Sequence, residues 1–270
     1  MSVVYESPVN TIHRADAREV AAQEEAGSFS LAVLDGPYAM QKAEWDRMKV
    51  ADLPGWYAPH LDDVGRLCAA SASLYVWNTA EGWATLHPGI VARGWVFAGL
   101  IVWNKTGAHP ARIGAANAGR WPDVTEVCGH YQHGKAHHIN QFSGNVWSLA
   151  PTTDMNAERL WADTMRPDRV SGAMQRVGLH PCQKPLAFSD RIIRASTRPG
   201  ERVWVPFGGT CREAVAAEWM ARAEPDEARQ VVTCEIDQDG RDYLGAVVRQ
   251  LRGEDVRRRD PRQASLFGAA

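Results

Sequence analysis

The chain has 270 residues, 45% of them hydrophobic and 23% charged, with a formal net charge of −2. That is enough chain for a large soluble domain with a sizeable core, and the near-neutral balance excludes a protein that is basic overall, so any surface for a polyanion must be local. No stretch approaches the roughly eighteen uninterrupted apolar residues of a membrane span, which leaves membranes out of the expected partners.

The opening MSVVYESPVN has neither a basic start nor a long apolar run, so no signal peptide is expected. Five cysteines (Cys68, Cys128, Cys182, Cys211, Cys234) lack a paired spacing and point to reduced thiols in a cytoplasmic compartment. Asp16 to Ala26 is rich in helix formers and stops at Gly27, predicting a first helix. Phe29 to Leu34 reads as a buried strand that leaves the core on Asp35-Gly36-Pro37-Tyr38. Trp56 to Ala70 reads as an amphipathic helix with Leu61, Val64, Leu67 and Cys68 on one face, followed by a strand from Ser73 to Trp77. Glu81 to Ala92 is helical but interrupted at Pro88, and Trp95 to Trp103 is a strongly apolar strand. Between Asn104 and about Gly178 the sequence turns rich in Gly, Ala, His and Asn, predicting loops and short strands inserted outside the core layer. Alternation then resumes: helix 185–196, strand 202–205, helix 212–223, strand 230–235 and helix 239–251. The pattern predicts an α/β fold with a mostly parallel, twisted sheet and helices on both faces.

Two strand ends carry chemistry. In ERVWVPFGGTCREAVAAEWMA (201–221) a strand meets Pro206, Phe207, Gly208, Gly209 and Thr210 and runs straight into a helix. Glycines at such a turn let backbone approach a ligand, and the helix start offers unpaired N–H groups. The next strand ends on Glu235, where an acid can accept hydrogen bonds from ribose hydroxyls. At the other strand end, Asp35 could accept protons from an amine, Gly36 could offer its carbonyl, Pro37 would fix the turn and Tyr38 could stack on a planar ring. An ordinary turn with glycines for packing, or a solvent-facing D-G-P turn, stays open for each stretch taken alone. Lys184 opens a helix, where its charge gains nothing from the helix dipole, so a ligand role suits it better.

Together DGPY (35–38), HPCQKP (180–185) and VPFGGTC (205–211) resemble the three motifs of the S-adenosylmethionine-dependent DNA amino-methyltransferases. Those enzymes carry (D/N/S)-P-P-(Y/F), H-P-x-x-K-P and D-P-F-x-G-S-G-T, and the order found here is that of the permuted beta group. The resemblance runs from about Ile12 to Leu251. It implies a Rossmann-like methyltransferase domain over 1–251, a target-recognition insertion over 104–178 and a basic tail over 252–270. It also implies S-adenosylmethionine as cofactor and double-stranded DNA as substrate, with homodimerisation, common in the group, left open by the residues. Asp35 and the Gly36 carbonyl would take the amino hydrogens of a flipped base, and Tyr38 would stack on it. Phe207, Gly208, Gly209 and Thr210 would hold the methionine end of the cofactor and Glu235 its ribose. His180 and Lys184 would line the pocket, and Asp16 would meet the adenine. Three departures stand out: Gly36 replaces a proline and makes the loop less preorganised; Val205 replaces an aspartate that accepts hydrogen bonds from the cofactor; Cys211 replaces a glycine. The acid at 35 tilts the target to adenine N6 over cytosine N4, whose enzymes usually begin that motif with serine. A weakened protein that keeps the fold and binds DNA or cofactor is the further alternative.

Lys105, Arg112, Arg120 and Lys135 make the 104–147 stretch mildly basic, suited to phosphate contacts. Cys128, His130, His133, His137 and His138 match no standard zinc spacing, so loop histidines facing solvent or phosphate are expected and no metal. The tail resembles a QxxLF-type peptide through Gln263, Leu266 and Phe267, which implies docking on a sliding clamp; packing of Leu266 and Phe267 on their own domain is the alternative.

Overall fold

The computed structural model describes residues 1–41, 44–104, 125–137, 144–148, 184–236 and 243–252. Its strands are β1 (Ser2–Glu6), β2 (Asn10–Arg14), β3 (Phe29–Leu34), β4 (Cys68–Asn78), β5 (Val96–Asn104), β6 (Thr125–Gln132), β7 (Val146–Ser148), β8 (Arg202–Val205) and β9 (Gln230–Glu235). They form one sheet in the order β1-β2-β9-β8-β3-β4-β6-β5-β7. β2, β9, β8, β3 and β4 run parallel, as do β5 and β7, whereas the β1–β2, β4–β6 and β6–β5 pairs are antiparallel.

Side-chain alternation along the central strands builds two cores. Leu31, Val33, Val203 and Val205 face the helices α4 (Leu186–Ser196), α5 (Arg212–Ala223) and α6 (Tyr243–Leu251). Ala32, Leu34, Trp204 and Val232 face α1 (Ala17–Ala21), α2 (Leu53–Leu67) and α3 (Ala80–Val91) on the other side. Both faces of the central strands β3 and β8 are therefore covered, which is why they read as nearly unbroken apolar runs.

The winding reverses in the middle of the sheet. From β3 the chain passes through α2 to β4 on one side, and from β8 it passes through α5 to β9 on the other. In open α/β sheets such a switch leaves a crevice beyond the carboxyl ends of the two strands. Here that crevice falls between β3 and β8.

Strands β3, β8 and β9 and helix α5 match their predicted bounds, and the mostly parallel sheet with helices on both faces matches the predicted fold class. Five details differ. The hairpin β1–β2 was not foreseen, because its five-residue strands carry polar residues and only Ile12 is both apolar and wholly buried. The helix after Asp16 closes at Ala21, so the acidic QEE run never joins it. Helix α2 begins at Leu53, with Pro54 in the first turn where no N–H is missed, and yields to β4 at Cys68. Helix α3 runs through Pro88; the carbonyl left without that N–H belongs to Ala84, on the exposed face. Finally, β6 is a core strand between β4 and β5, buried from Glu126 to Tyr131, although its stretch was expected to lie outside the core layer. Its Gly, His and Gln hide a strand whose burial comes from two neighbours and not from its own hydrophobicity. Among the described residues, no helix is long and apolar enough to cross a membrane.

Candidate active site

The carboxyl ends of β2, β9, β8 and β3 open on one cavity of about 350 Å³. It is lined by Asp16 after β2, Glu235 ending β9, Pro206 to Thr210 after β8, Asp35 to Pro37 after β3, and Lys184 ahead of α4. Eleven predicted residues, 149 apart in sequence at the Asp35–Lys184 pair, thus share one space. That volume lies within the range of small-molecule pockets.

Asp35 is held from several directions. Lys184 Nζ donates to both of its oxygens at 2.8 and 2.9 Å, and the Tyr38 hydroxyl donates to Oδ1 at 2.7 Å. The same ammonium lies 3.1 Å from Glu126 Oε2, at the start of β6, and over the rings of Tyr38 and Trp77 at 5.1 and 5.5 Å. Lys184 is 5% exposed, so its charge is desolvated and needs these two carboxylates to stay there. Burial, then the Asp35 charge, raises the Tyr38 phenol well above its ordinary range and keeps it a neutral donor.

The loop after Asp35 is fastened by a residue that sequence reasoning missed. Asp46, 2% exposed, accepts from Tyr38 N and Ala39 N through Oδ1 at 2.8 Å each and from Met40 N through Oδ2 at 3.0 Å. Ala39, so bonded, and Gln41, whose N–H donates to the Asp46 backbone carbonyl at 3.3 Å, take left-handed backbone, φ 60° and 57°, which non-glycine residues rarely adopt. Tyr57 Oη and Asn78 Nδ2 both donate to the Pro37 carbonyl at 3.3 Å. A Cβ at Gly36 would stand 2.8 Å from Tyr57 Oη and 3.1 Å from the Phe207 ring. The space a proline would fill is thus occupied by those two side chains. The expected loss of preorganisation at Gly36 is met by packing from α2 and the facing loop.

The turn after β8 is fastened through its backbone N–H groups, two of which reach the end of β9. Gly208 N donates to Cys234 O at 2.7 Å and Cys211 N to Gly208 O at 2.6 Å, while Gly209 N donates to Glu235 Oε2 at 2.6 Å. A Cβ on Gly208 would meet Thr233 Oγ1 at 2.6 Å and Cys234 O at 3.0 Å. Gly209 takes φ 51° and faces open space. Cys211, where a glycine was expected, adopts φ 47° at the N-cap of α5; burial raises its thiol and keeps it unreactive.

Aromatic groups line the wall beside Phe207. Trp56 and His60, one turn apart on α2, put their ring centroids 5.2 and 4.8 Å from that of Phe207. Their spacing off the Leu61–Val64–Leu67 stripe was a readable sign that they serve something besides the core. Burial lowers the His60 imidazole below its usual 6.5, leaving it neutral near pH 7. Arg212 and Glu213, at the start of α5, also line the cavity and were likewise missed.

Not every predicted residue arrives. Lys135 is exposed in the turn after β6; since β6 runs antiparallel to β4, with Gln132 opposite Ser73, that turn lies at the sheet edge away from the cavity. Cys128 and His130 sit within β6, the latter stacked on Tyr75 at 4.4 Å, and not in a loop. Lys105, Arg112, Arg120, His138, His180, Cys182 and the peptide with Gln263, Leu266 and Phe267 lie outside the described residues.

Residues 29–244 match the DNA methylase family N6_N4_Mtase. The curated type II methyltransferase M1.MboII of Moraxella bovis is 26% identical over 235 residues, spanning 79% of this chain and 89% of that protein. The solved PvuII DNA methyltransferase, described as cytosine-N4-specific, superposes with a TM-score of 0.68 at 15% identity, covering 98% of this chain and 93% of that one. A complex of M1.HpyAVI with SAM superposes with a TM-score of 0.58 at 15% identity, covering 89% and 100%.

Proposed function

The chain belongs to the DNA methylase family of amino-methyltransferases, and from that premise we propose that it moves a methyl group from S-adenosylmethionine to N6 of adenine in double-stranded DNA. The observation that supports this most is the convergence of Asp35 and the 206–210 turn on one cavity, across the switch point of the sheet.

The residues fit such a cofactor. Gly209 opens to free space, Glu235 ends β9 at the cavity, and Trp56 and His60 give flat walls for a purine. When bound, S-adenosylmethionine supplies an electrophilic methyl on a sulfonium. The chain's part is to present the amine. Asp35 and the Gly36 carbonyl accept the two amino hydrogens, which turns the nitrogen lone pair out of the ring system. Lys184 and Tyr38 keep the Asp35 carboxylate in position, so it needs no reorganisation as charge develops on the amine. The Tyr38 ring offers the stacking face, for a base that must leave the duplex to arrive. Asn104, Thr125 and Ser148 lie at the same end of the sheet as Asn78 and hence on the side DNA would occupy.

Adenine is preferred for the acid at 35. The fold likeness to a cytosine-N4-specific enzyme favours cytosine N4 as the second reading. Incubating the purified chain with unmodified DNA and cofactor, then digesting to nucleosides for mass spectrometry, separates them: N6-methyladenine is expected, N4-methylcytosine supports the second reading, and neither base leaves a binding protein. Asp35→Ala should lower transfer at least about 10²–10³-fold while cofactor affinity stays within a few-fold.

A further inference from the structure

The amino end of α5 holds two adjacent charged residues that do not pair with each other. Arg212 is 3% exposed and lines the cavity. Its Nε and Nη2 donate to the Thr210 carbonyl at 2.9 and 2.7 Å, and Nη2 also to Gln250 Oε1 at 3.0 Å. Nη1 is buried with no partner. No carboxylate among the described residues comes within ion-pair distance of this guanidinium. Burial lowers its pKa to about 10, so it remains a cation near pH 7. Glu213, 9% exposed and also lining the cavity, accepts from Ser189 Oγ at 2.8 Å, and burial raises its carboxyl.

A buried cation with no carboxylate in contact, Glu213 acting on it only at a distance, is costly, and an unmade hydrogen bond adds to the cost. The N-cap of α5, Cys211, supplies no side-chain acceptor, so this helix start also favours an arriving anion. One residue further, an acid is available for a cation. β8 ends on apolar Val205, so no carboxylate comes from that strand.

Resting on the reading of this cavity as the cofactor site, we propose that Arg212 and Glu213 form a clamp for the zwitterionic amino-acid end of the ligand, Arg212 taking the carboxylate and Glu213 the ammonium. The acceptor missing at Val205 is thereby replaced from the next helix. The side of the cavity bearing Trp56 and His60 is left to the nucleoside.

The test is binding, read by titration calorimetry, of S-adenosylhomocysteine, of its decarboxylated analogue, and of 5′-methylthioadenosine, which lacks the amino-acid end. Wild type should prefer S-adenosylhomocysteine to both others. Arg212→Gln should weaken S-adenosylhomocysteine about 10- to 100-fold, the scale of a charge-assisted hydrogen bond. The same variant should leave 5′-methylthioadenosine within about twofold, since it touches no charge there. Glu213→Gln should cost S-adenosylhomocysteine about 10-fold and likewise spare the shortened ligand. Equal losses for long and short ligands, or no loss, would overturn the clamp. If Arg212→Gln fails to fold, the wild-type preference for the carboxylated over the decarboxylated ligand decides alone, and its absence overturns the proposal. A wild type that binds none of the three instead removes the cofactor reading beneath it.

Discussion

The two loops that face each other across the cavity are fixed by opposite means. The β8 loop is held through its own N–H groups: two glycines bonded to the next strand, and a helix that begins at once. The β3 loop is held by side chains sent from elsewhere: Asp46, Tyr57 and Asn78, and Lys184 far along the chain. A loop built the first way tolerates almost nothing at its glycines; one built the second way fails by single, replaceable contacts.

The sharpest contrast is between Gly208→Ala and Gly36→Ala. At 208 the new methyl would meet a backbone carbonyl and the Thr233 hydroxyl, so overpacking of about 1–3 kcal/mol should appear as a lowered melting temperature with cofactor binding lost. At 36 its nearest obstacle is the Tyr57 hydroxyl, so Gly36→Ala should be partly rescued in transfer rate by Tyr57→Phe. Thr233→Ala should rescue Gly208→Ala less, because the Cys234 carbonyl stays; equal rescue at the two positions would erase the distinction.

A step smaller, Asp46→Asn keeps the shape but weakens three charge-assisted hydrogen bonds, at a cost of about 1–3 kcal/mol. Its mark should be a lowered turnover with cofactor affinity unchanged, measured by steady-state kinetics beside calorimetry; a fall in affinity alone would contradict it. The smallest effect concerns pH. The folded His60 titrates below its unfolded value of 6.5, so the folded chain binds fewer protons there. The stability it contributes is complete above about pH 6.5 and is lost as the pH falls below it. Melting temperature should therefore drop between pH 7.5 and 5.5, and His60→Gln should reduce the drop without removing it, because His13 and His133 shift in the same direction.

The same contrast explains what could be read in advance. VPFGGTC announces its turn through local chemistry, and β8, the loop, α5 and β9 sit where their residues predict. Asp46 gives no such notice: it is one of two acids in AEWDRMK until the fold turns it onto three amides. Lys184 was legible as a ligand-side residue, but its grip on Asp35 and Glu126 needs a sheet order that no local pattern contains. Strand β6 was hidden for a related reason, since its burial is conferred by β4 and β5.

Of the eleven tryptophans in the chain, Trp45 and Trp56 stand at the cavity wall. An indole beside an entering purine changes its emission, so the molecule carries a built-in optical gauge of occupancy. Trp56→Phe, watched against the unmutated chain, isolates that gauge from the steady glow of the interior and lets arrival be timed with no dye attached.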